Sequence, residues 1–358
     1  MRATLLLAAL SAAGAVSAAP APAPAPPSSC GKKGCADVNP FEGKKLFANP
    51  TWAKKLDQTY KAFTAQGDAA SAAKIGKVQK VGTFVWVADR AGLANIDAAI
   101  ASARAEQRKT GKKQIVGLVL YNLPDRDCSA GESAGELSSD TNGLEIYKKE
   151  FIKPYAEKVS RAKDLDFAIV LEPDSLGNIV TNMAVEFCAK AAPVYEEGIA
   201  YAIANLQYDN VHLYVDAAHG GWLGWDGNLP LAAKEFAKVV ALAGAGKNKI
   251  RGFATNVSNY NPFNATAEGL PAHFIVDQGR VTVDGARKEW GEWCNVVAGF
   301  GQVPTTNTNN TVVDSIVWVK PGGESDGQCG MTGAPKAGAW FDEYVQMLVK
   351  NAHPSVFA

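Results

Sequence analysis

Six polar side chains each come after an apolar run of this sequence, and four of them are aspartates. They are Asp127, Asp174, Asp216, Asn256, Gln278 and Asp326. If the runs are parallel strands, the loops that follow them meet at one face of the fold, where ligands bind. Two carboxylates held close together there take different roles, since one is driven to stay protonated while the other stays ionised, as general acid catalysis at a glycosidic oxygen requires. Aspartate also caps helices, so any single member of the set has a purely structural explanation, whereas four at one mouth favour a site.

Tryptophans lie beside these loops. They are Trp86, Trp222, Trp225, Trp290 and Trp293. Indole stacks on the apolar C–H face of a sugar ring and donates a hydrogen bond through its N–H. Core packing is the usual role of tryptophan, but residues 220–225 read Gly-Gly-Trp-Leu-Gly-Trp, and a loop so rich in glycine is a poor core element. The pattern favours a sugar-binding platform.

The apolar runs are short and rich in Val, Ile and Phe, and most are separated by helical patterns. The predicted strands are 81–87, 114–121, 167–171, 211–215, 252–255, 274–276 and 315–319, and the predicted helices are 93–108, 144–162, 184–206 and 231–243. Alternation of strands and helices predicts a parallel sheet, and unbroken apolar runs predict strands covered on both faces. Seven such strands predict a closed or nearly closed α/β barrel.

Composition and motifs narrow the function classes. The chain has 358 residues with 36 Lys+Arg and 36 Asp+Glu, and 47% of its residues are hydrophobic. This length allows a large buried core, and zero net charge offers no excess of cations to nucleic acid or an anionic membrane. The nucleophile-elbow, P-loop and zinc-protease motifs are absent from the sequence. We therefore expect a monomer with no cofactor, no metal ion, no nucleic-acid partner and no membrane partner.

The N-terminus has the pattern of an exported protein. Residues 1–18 combine a basic start, a short apolar core and small residues at a cleavage position, which is typical of a secretory signal peptide. A membrane anchor is the weaker interpretation, because the run is too short to cross a bilayer and no later run reaches about 18 apolar residues. Residues 19–38 begin with alternating Ala and Pro and predict an extended tail. A folded domain is expected over 39–358.

Export makes disulfides possible. The cysteines are Cys30, Cys35, Cys128, Cys188, Cys294 and Cys329. An even number fits three bridges, although the sequence alone leaves their connectivity open. Zinc is the competing explanation, but it needs clustered ligands, and only the first two cysteines are close in sequence. Asn256, Asn264 and Asn309 each begin an N-glycosylation sequon, which is a weak signal.

Long motifs, in order along the chain, resemble glycoside hydrolase family 6, the fungal cellobiohydrolases and endoglucanases. They are Leu123-Pro-Asp-Arg-Asp-Cys128, Leu171-Glu-Pro-Asp-Ser-Leu176, Tyr214-Val-Asp-Ala-Ala-His-Gly-Gly-Trp-Leu-Gly-Trp225, Ala254-Thr-Asn-Val-Ser-Asn-Tyr260, Trp290-Gly-Glu-Trp-Cys-Asn295 and Trp318-Val-Lys-Pro-Gly-Gly-Glu324. The resemblance runs from about Asn39 to Pro354 and is specific. It implies a distorted α/β barrel, hydrolysis of β-1,4-glucan and inversion at the anomeric carbon, with 39–358 as the catalytic domain.

Through these motifs the resemblance implies roles for the carboxylates. Asp174 matches the general acid, and Asp127 matches the aspartate that keeps this acid protonated and helps to relay the proton of water. Asp326 matches the residue proposed as the base, a role that is disputed within the family. Asp216 is expected to hold the charge network of the site. Inversion needs about 6.5–9.5 Å between acid and base so that a water molecule fits.

The resemblance also implies a set of substrate-binding residues. Beside Asp216 they are Trp86, Trp222, Trp225 and Trp293 as stacking platforms, Tyr121, Arg126 and Ser133 at the cleavage site, Lys320 and Glu324 as hydrogen-bonding ligands, and His219 and Asn256 as polar contacts. Bridges Cys128–Cys188 and Cys294–Cys329 are implied to tie the two active-site loops, which leaves Cys30–Cys35 as an additional local bridge.

One departure from the family concerns the loop after Asp326. Only Gly327 and Gln328 separate Asp326 from Cys329. Family members that act on chain ends have a longer insert here, which roofs the cleft into a tunnel. The short loop predicts an open cleft, while the full-length loop that begins at Cys128 is expected to keep Ser133 over the site.

The connection 261–272 is the other departure. Family members place a long helix between the flanking strands, whereas these residues include two prolines and show no helical pattern. A parallel crossover usually takes a dozen or more residues with a helix. The sequence therefore predicts that one crossover helix of the barrel is missing.

These observations predict a secreted, inverting β-1,4-glucanase that cleaves internal bonds of cellulose or β-glucan and takes the polysaccharide or its oligosaccharides as its partner. A cellobiohydrolase that works from chain ends is the first alternative. A glucan-binding protein with impaired chemistry is the second. The retained Asp127, Asp174 and Asp326 argue against a binding protein, because a lectin needs no acid pair.

Overall fold

Parallel strands form one sheet that follows the apolar runs of the sequence. The computed structural model describes residues 38–261, 273–282, 286–289 and 291–357. The strands in these residues are β1 (Lys45–Leu46), β2 (Val85–Val87), β3 (Gln114–Leu120), β4 (Asp166–Leu171), β5 (Val211–Asp216), β6 (Gly252–Thr255), β7 (Phe274–Asp277) and β8 (Val313–Val317). From β3 to β8 each strand pairs with the next along the chain, and β1 and β2 share the remaining edge of β3. The parallel sheet predicted from the sequence is confirmed.

The register of the sheet brings the carboxyl ends of the central strands to one level. Leu171 at the end of β4 lies opposite Leu120 of β3 and Val215 of β5. The residues after these positions leave the sheet together, which places Tyr121 and Glu172 at the same edge. Ligand sites of parallel sheets form at this edge because the connecting loops converge there.

Helices join the strands. They are α1 (Pro50–Ala65), α2 (Ala69–Val78), α3 (Leu93–Thr110), α4 (Gly143–Ile146), α5 (Lys153–Arg161), α6 (Ser175–Thr181), α7 (Glu186–Asn205), α8 (Leu229–Leu242) and α9 (Asp342–Lys350). A π-helical segment over Tyr147–Ile152 separates α4 from α5, so the single helix predicted at 144–162 is interrupted. Pro154 lies just after this segment and has no N–H to donate, which is a common reason for a break in the α-helical ladder.

Alternate residues of each strand enter different cores. In β4, Ala168 and Val170 pack inside the barrel, whereas Phe167 and Ile169 pack in the cluster that includes the outer helices. Strands buried on both faces require apolar residues at every position, which explains their unbroken apolar runs. A further cluster lies among α1, α2 and α9, around Trp52.

Strand pairing does not close the barrel in the described residues. β2 and β8 are its edges, and contacts just outside the paired segments join them. The backbone N–H of Phe84 donates to Trp318 O at 3.0 Å, and the indole of Trp86 donates to Val319 O at 2.9 Å. The fold is therefore the distorted parallel barrel that the sequence predicts, with one side held by few backbone bonds.

Several predictions fall outside the described residues. They concern the signal peptide 1–18, the tail 19–38 except Val38, the Cys30–Cys35 bridge, Trp290, and the connection 261–272 beyond Asn261 with its missing helix and its sequon at Asn264. β6 and β7, which flank this connection, pair in parallel with Phe253 opposite Phe274. Across the described ranges, no helix has both the length and the apolar character needed to cross a membrane.

Candidate active site

The chain leaves the strands of the site in a left-handed backbone conformation. The φ angle is 58° at Asp127, 45° at Glu172, 65° at Asp174 and 64° at Asn256. Aspartate and asparagine adopt this region more readily than other non-glycine residues, but each such position still costs about 1–3 kcal/mol in general. A group of them at one edge of a sheet is typical of a functional site.

Asp174 follows β4 and is half-buried at the start of α6. Burial, together with the negative charges of Asp127 and Asp326, raises the pKa of its carboxyl to about 7, against the opposing effect of Lys320. Its backbone N–H donates to Asp216 Oδ2 at 2.9 Å. Asp174 therefore remains largely protonated in mildly acidic solution and can donate a proton there.

Asp216 at the end of β5 is 2% exposed and holds the turn that carries Asp174. Its Oδ2 also accepts the N–H of Ala218 at 3.2 Å, whereas Oδ1 has no hydrogen-bond partner among the described residues. Burial and the nearby charge of Asp174 raise the pKa of Asp216 well above its ordinary value. Double ionisation of the buried Asp216 and the half-buried Asp174 is thus disfavoured.

Asp127 lies in the loop after β3, opposite Ser133 of the same loop. Its Oδ2 accepts both the N–H of Ser133 at 2.7 Å and the hydroxyl at 3.0 Å. The Ser133 hydroxyl also lies 3.0 Å from the Tyr121 hydroxyl. The guanidinium of Arg126 stacks 4.2 Å from the centre of the Tyr121 ring and donates to Ser133 O at 2.8 Å. These contacts bring together four of the residues that the sequence predicts for the cleavage site.

Asp326 lies on the opposite wall and is surrounded by donors. Arg280 Nη1 donates to both of its oxygens, at 2.8 and 2.7 Å, and Oδ2 also accepts the Tyr260 hydroxyl at 2.8 Å and the Asn295 N–H at 2.9 Å. Lys320 Nζ lies 3.7 Å from Oδ1. Burial acts to raise the pKa of Asp326, but Arg280 and Lys320 outweigh it and hold the pKa below its ordinary value.

Lys320 and Glu324 continue this wall. Lys320 lies 5.6 Å from the centre of the Trp86 ring, and Trp86 packs edge-on against Tyr121 with ring centres 5.4 Å apart. The Glu324 carboxylate pairs with Lys55 of α1 at 2.7 Å. A cation from α1 thus orients the carboxylate that the sequence predicts as a sugar ligand.

The loop after β5 carries the other aromatic residues. Trp225 is 56% exposed, whereas Trp222 is partly buried against Gly177 of α6 and donates to Thr181 Oγ1 at 2.7 Å. His219 is buried, and burial together with the charge of Arg287 lowers its pKa to about 3, so its imidazole is neutral at working pH. Trp293, in the segment before β8, is 38% exposed and available for stacking.

Asn256 is 2% exposed and is engaged within the protein. Its Nδ2 donates to Asp277 O at 2.9 Å, and its Oδ1 accepts the N–H of Asn261 at 2.9 Å. This burial leaves no access for a glycan at the first sequon in the folded state, whereas Asn309 is exposed.

Three buried charged residues were missed by the sequence analysis as parts of the site. Arg280 holds Asp326. Asp277 ends β7 and accepts the N–H groups of Val319 and Lys320 at 3.0 Å each. Glu172 accepts the N–H of Asn122 at 3.1 Å, and burial raises its pKa to about 7. Glu172 and Asp277 lie at strand ends, and the same position in the sequence marked the other carboxylates as candidate site residues.

Disulfides pin both loops of the site. The structure contains Cys128–Cys188, next to Asp127, and Cys294–Cys329, next to Asn295 and close to Asp326. Both bridges are those that the resemblance implies. The first ties the Asp127 loop to α7, and the second closes the short loop that carries Asp326.

Comparison with known proteins gives consistent results. The sequence model of glycosyl hydrolases family 6 matches residues 41–268 and 265–352, so the match is broken within the connection between β6 and β7. A 1,4-beta-D-glucan cellobiohydrolase of Podospora anserina is 61% identical over an alignment that covers 100% of this chain and 91% of that protein. The structure of an endoglucanase from Humicola insolens has a TM-score of 0.85 and 52% identity, covering 89% of this chain and 100% of the other.

A cellobiohydrolase II from Humicola insolens, solved in complex with glucose and cellotetraose, has a TM-score of 0.81 and 36% identity, covering 88% of this chain and 99% of the other. The comparisons thus include both cellobiohydrolases and endoglucanases of one family, over nearly the whole of the described barrel. The chain therefore belongs to glycosyl hydrolases family 6 and is a glycoside hydrolase of this cellulase family.

Proposed function

We propose that this chain is a secreted, inverting β-1,4-glucanase that cleaves internal bonds, with Asp174 as its general acid. The observation that carries the proposal is the position of Asp174 at the end of β4, where its N–H is held by Asp216 at 2.9 Å and where burial and the charges of Asp127 and Asp326 raise its pKa to about 7. A carboxylic acid that keeps its proton in mildly acidic solution can protonate the departing glycosidic oxygen. Secretion rests on the signal-peptide pattern of residues 1–18.

Water attacks the anomeric carbon from the other face of the sugar in an inverting reaction, and one of its protons must be accepted. Asp326 is the residue that the resemblance matches to the base. Its lowered pKa and its bonds to Arg280 make it a weak base, so we assign it the role of a fixed negative charge beside the developing oxocarbenium ion. The contacts from Ser133 to Asp127 and Tyr121 support a route from the water to Asp127.

The cleft around these groups has apolar and polar surfaces suited to a glucan chain. Trp225 and Trp293 present exposed rings, and Trp86 lies beside Lys320. Indole faces stack on pyranose rings, while charged side chains bind the hydroxyls at the rim. Both the neutral His219 and the Glu324–Lys55 pair are compatible with hydroxyl binding, as predicted from the sequence.

Cleavage of internal bonds is supported by the loop from Asp326 to Cys329. Two intervening residues, pinned by the Cys294–Cys329 bridge, are too short to arch over a chain, because an extended residue spans only about 3.3–3.6 Å. The 52% identity to an endoglucanase supports the same mode, while the 61% identity to a cellobiohydrolase supports the chain-end alternative.

Two measurements test the proposal. The anomer released first from a cello-oligosaccharide, followed by NMR, should be α, because inversion at a β-linkage produces it. Initial release of the β-anomer would contradict the inverting assignment. On neutral hydroxyethylcellulose, we expect a steep loss of viscosity for each reducing end formed.

The alternatives predict different results in the same assays. A chain-end enzyme would release soluble cellobiose from amorphous cellulose from the earliest time, with the polymer length almost unchanged. A glucan-binding protein would retain oligosaccharide without hydrolysing it, as the Asp174→Ala variant should. The wild-type chain is expected to match neither pattern.

A further inference from the structure

We propose that Glu132 makes the cleavage site selective against β-1,4-glucans that carry carboxylate groups. This inference rests on the proposed function, because it concerns the substrate preference of the same site. Glu132 belongs to the loop after Asp127 and matches none of the residues to which the family resemblance gives a role.

Glu132 lies between the two loops of the site. On one side, its neighbour Ser133 is bound to Asp127 through its N–H at 2.7 Å and its hydroxyl at 3.0 Å. On the other side, a Cβ placed on Gly327 would lie 2.7 Å from Glu132 Oε2. Gly327 directly follows Asp326, so the Glu132 side chain of the Asp127 loop reaches the loop that carries Asp326.

This contact bears on how open the cleft is at the short Asp326 loop. The two residues before Cys329 do not arch over the cleft, but the opposite loop reaches them with a single side chain. Gly327 has no Cβ, and an added one would be too close to the Glu132 carboxylate unless that side chain moved. The cleft is therefore covered at this point by one exposed, rotatable carboxylate, which can swing aside to admit a chain.

The Glu132 charge is not neutralised by its surroundings. Among the described residues, no hydrogen bond or ion pair is recorded for its carboxylate, and the side chain is exposed. The cations nearest to Asp326 are Arg280 and Lys320, and both already interact with that aspartate. Together with Asp127, Glu132 therefore adds negative charge beside the residues assigned to the cleavage site.

An unmodified glucan and a carboxylated glucan respond differently to this charge. The hydroxyls of an unmodified chain can donate hydrogen bonds to Glu132, at no electrostatic cost. A carboxylate on the sugar would meet a like charge in a partly desolvated cleft, where repulsion exceeds its value in bulk water. Screening weakens the repulsion as ionic strength rises, since the Debye length falls from about 30 Å at 0.01 M to about 8 Å at 0.15 M.

The test compares Glu132→Gln with the wild type on two soluble polymers of matched length and degree of substitution, carboxymethylcellulose and neutral hydroxyethylcellulose. At 0.01 M ionic strength, the ratio of kcat/KM on the anionic polymer to kcat/KM on the neutral polymer should rise about two- to fivefold in the variant. At 0.15 M the gain should be smaller. The matched control is Glu157→Gln on the outer helix α5, which removes the same charge from an exposed side chain and should leave the ratio unchanged.

Each outcome has a definite meaning. An unchanged ratio in Glu132→Gln, or an equal rise in Glu157→Gln, would overturn the inference. An equal loss on both polymers would also overturn it, because Glu132 would then position the loop without selecting by charge. Failure of the wild type to cleave the neutral polymer would instead reject the proposed function.

Discussion

On the β4 side of the cleft Asp174 lies near two other aspartates, whereas on the β8 side Asp326 lies against a buried arginine. Burial raises the pKa of a carboxyl at both positions, because removal from water disfavours the charged form. The neighbours decide the outcome. Asp127 and Asp326 add to the effect of burial at Asp174, while Arg280 and Lys320 reverse it at Asp326.

The comparison shows how one residue type supplies two protonation states in one cleft. A protonated carboxyl and an ionised carboxylate lie in the same cleft, and the state of each is set by its charged neighbours. The arrangement also predicts which substitutions have large effects. Removing a group that reacts should have the largest effect. Removing the group that keeps a carboxylate ionised should have a smaller effect, and altering a more distant charge should mainly shift a pKa.

The largest effect is expected from Asp174→Ala. Loss of the proton donor should lower kcat on a cello-oligosaccharide by about 10²–10⁴-fold or more, while oligosaccharide binding is retained. Binding is measured by titration calorimetry and turnover by reducing-end release. Near-normal turnover of an unactivated glucan would show that another group supplies the proton.

Arg280→Met tests the other wall. It leaves Asp326 buried without its main cation, which typically costs about 3–5 kcal/mol of stability, and the pKa of Asp326 should rise. The free energy of unfolding is measured by denaturant titration for Arg280→Met, Arg280→Lys and the double variant Arg280→Met/Asp326→Asn. The lysine variant should retain part of the stability because it keeps the charge, and the double variant should recover part because no buried charge remains.

Arg104→Met is the matched control for Arg280→Met. Arg104 also makes two bonds to an aspartate, Asp164, but both side chains are exposed. Exposed ion pairs contribute about 0–1 kcal/mol. Equal losses in Arg104→Met and Arg280→Met would mean that the buried position of Asp326 does not matter.

Much of the barrel could be predicted from the sequence because burial on both faces forces unbroken apolar runs. β3 and β4 are examples, and the helix predicted at 93–108 matches α3. Helices α1, α2 and α9 were not predicted, although the buried Trp52, Leu56 and Phe63 of α1 lie at helical spacing. These helices come near the two ends of the described sequence, beyond the alternation of strands and helices that guided the prediction.

The site was predictable where one residue and its motif carry the signal, as at Asp127 and Asp174. Arg280 had no such signal, because a single arginine after a short strand is usually exposed. Its role depends on Asp326, which lies 46 residues further along the chain and reaches it only through folding. Asn256 shows the converse, since its motif marks it for the site, whereas its amide donates to Asp277 O at the end of β7 and accepts the N–H of Asn261.

A smaller effect is expected in the way the stability of the protein depends on pH, through Asp174. Because the pKa of Asp174 is raised from 3.8 to about 7 in the folded state, its favourable contribution is lost as pH rises through that range. Asp174→Asn removes the cost of ionising Asp174 in the folded state. At pH 8 the variant should therefore be more stable than the wild type by on the order of 3 kcal/mol. The difference should shrink towards pH 4. A difference independent of pH would contradict the raised pKa.

The smallest effect on the acid itself is expected from Asp127→Asn, which changes the environment of Asp174 without removing it. The charge of Asp127 helps to raise the pKa of Asp174, so its loss should lower that pKa. Since Asp174 acts in its protonated form, the alkaline limb of the kcat/KM profile should move to lower pH, by about one unit. The maximum of the profile should also fall, because Asp127 is expected to help in passing on the proton of water.

Ser133→Ala separates the charge of Asp127 from its hydrogen bonds. The serine hydroxyl donates to Asp127 Oδ2 at 3.0 Å, so this variant removes a contact but keeps the carboxylate. The maximum of its kcat/KM profile should fall, while the alkaline limb stays at the same pH. Both profiles are measured on a neutral cello-oligosaccharide, so that the charge of the substrate does not change with pH. If the limb moves equally in both variants, the coupling between Asp127 and Asp174 is not electrostatic, and the difference between the two walls needs another cause.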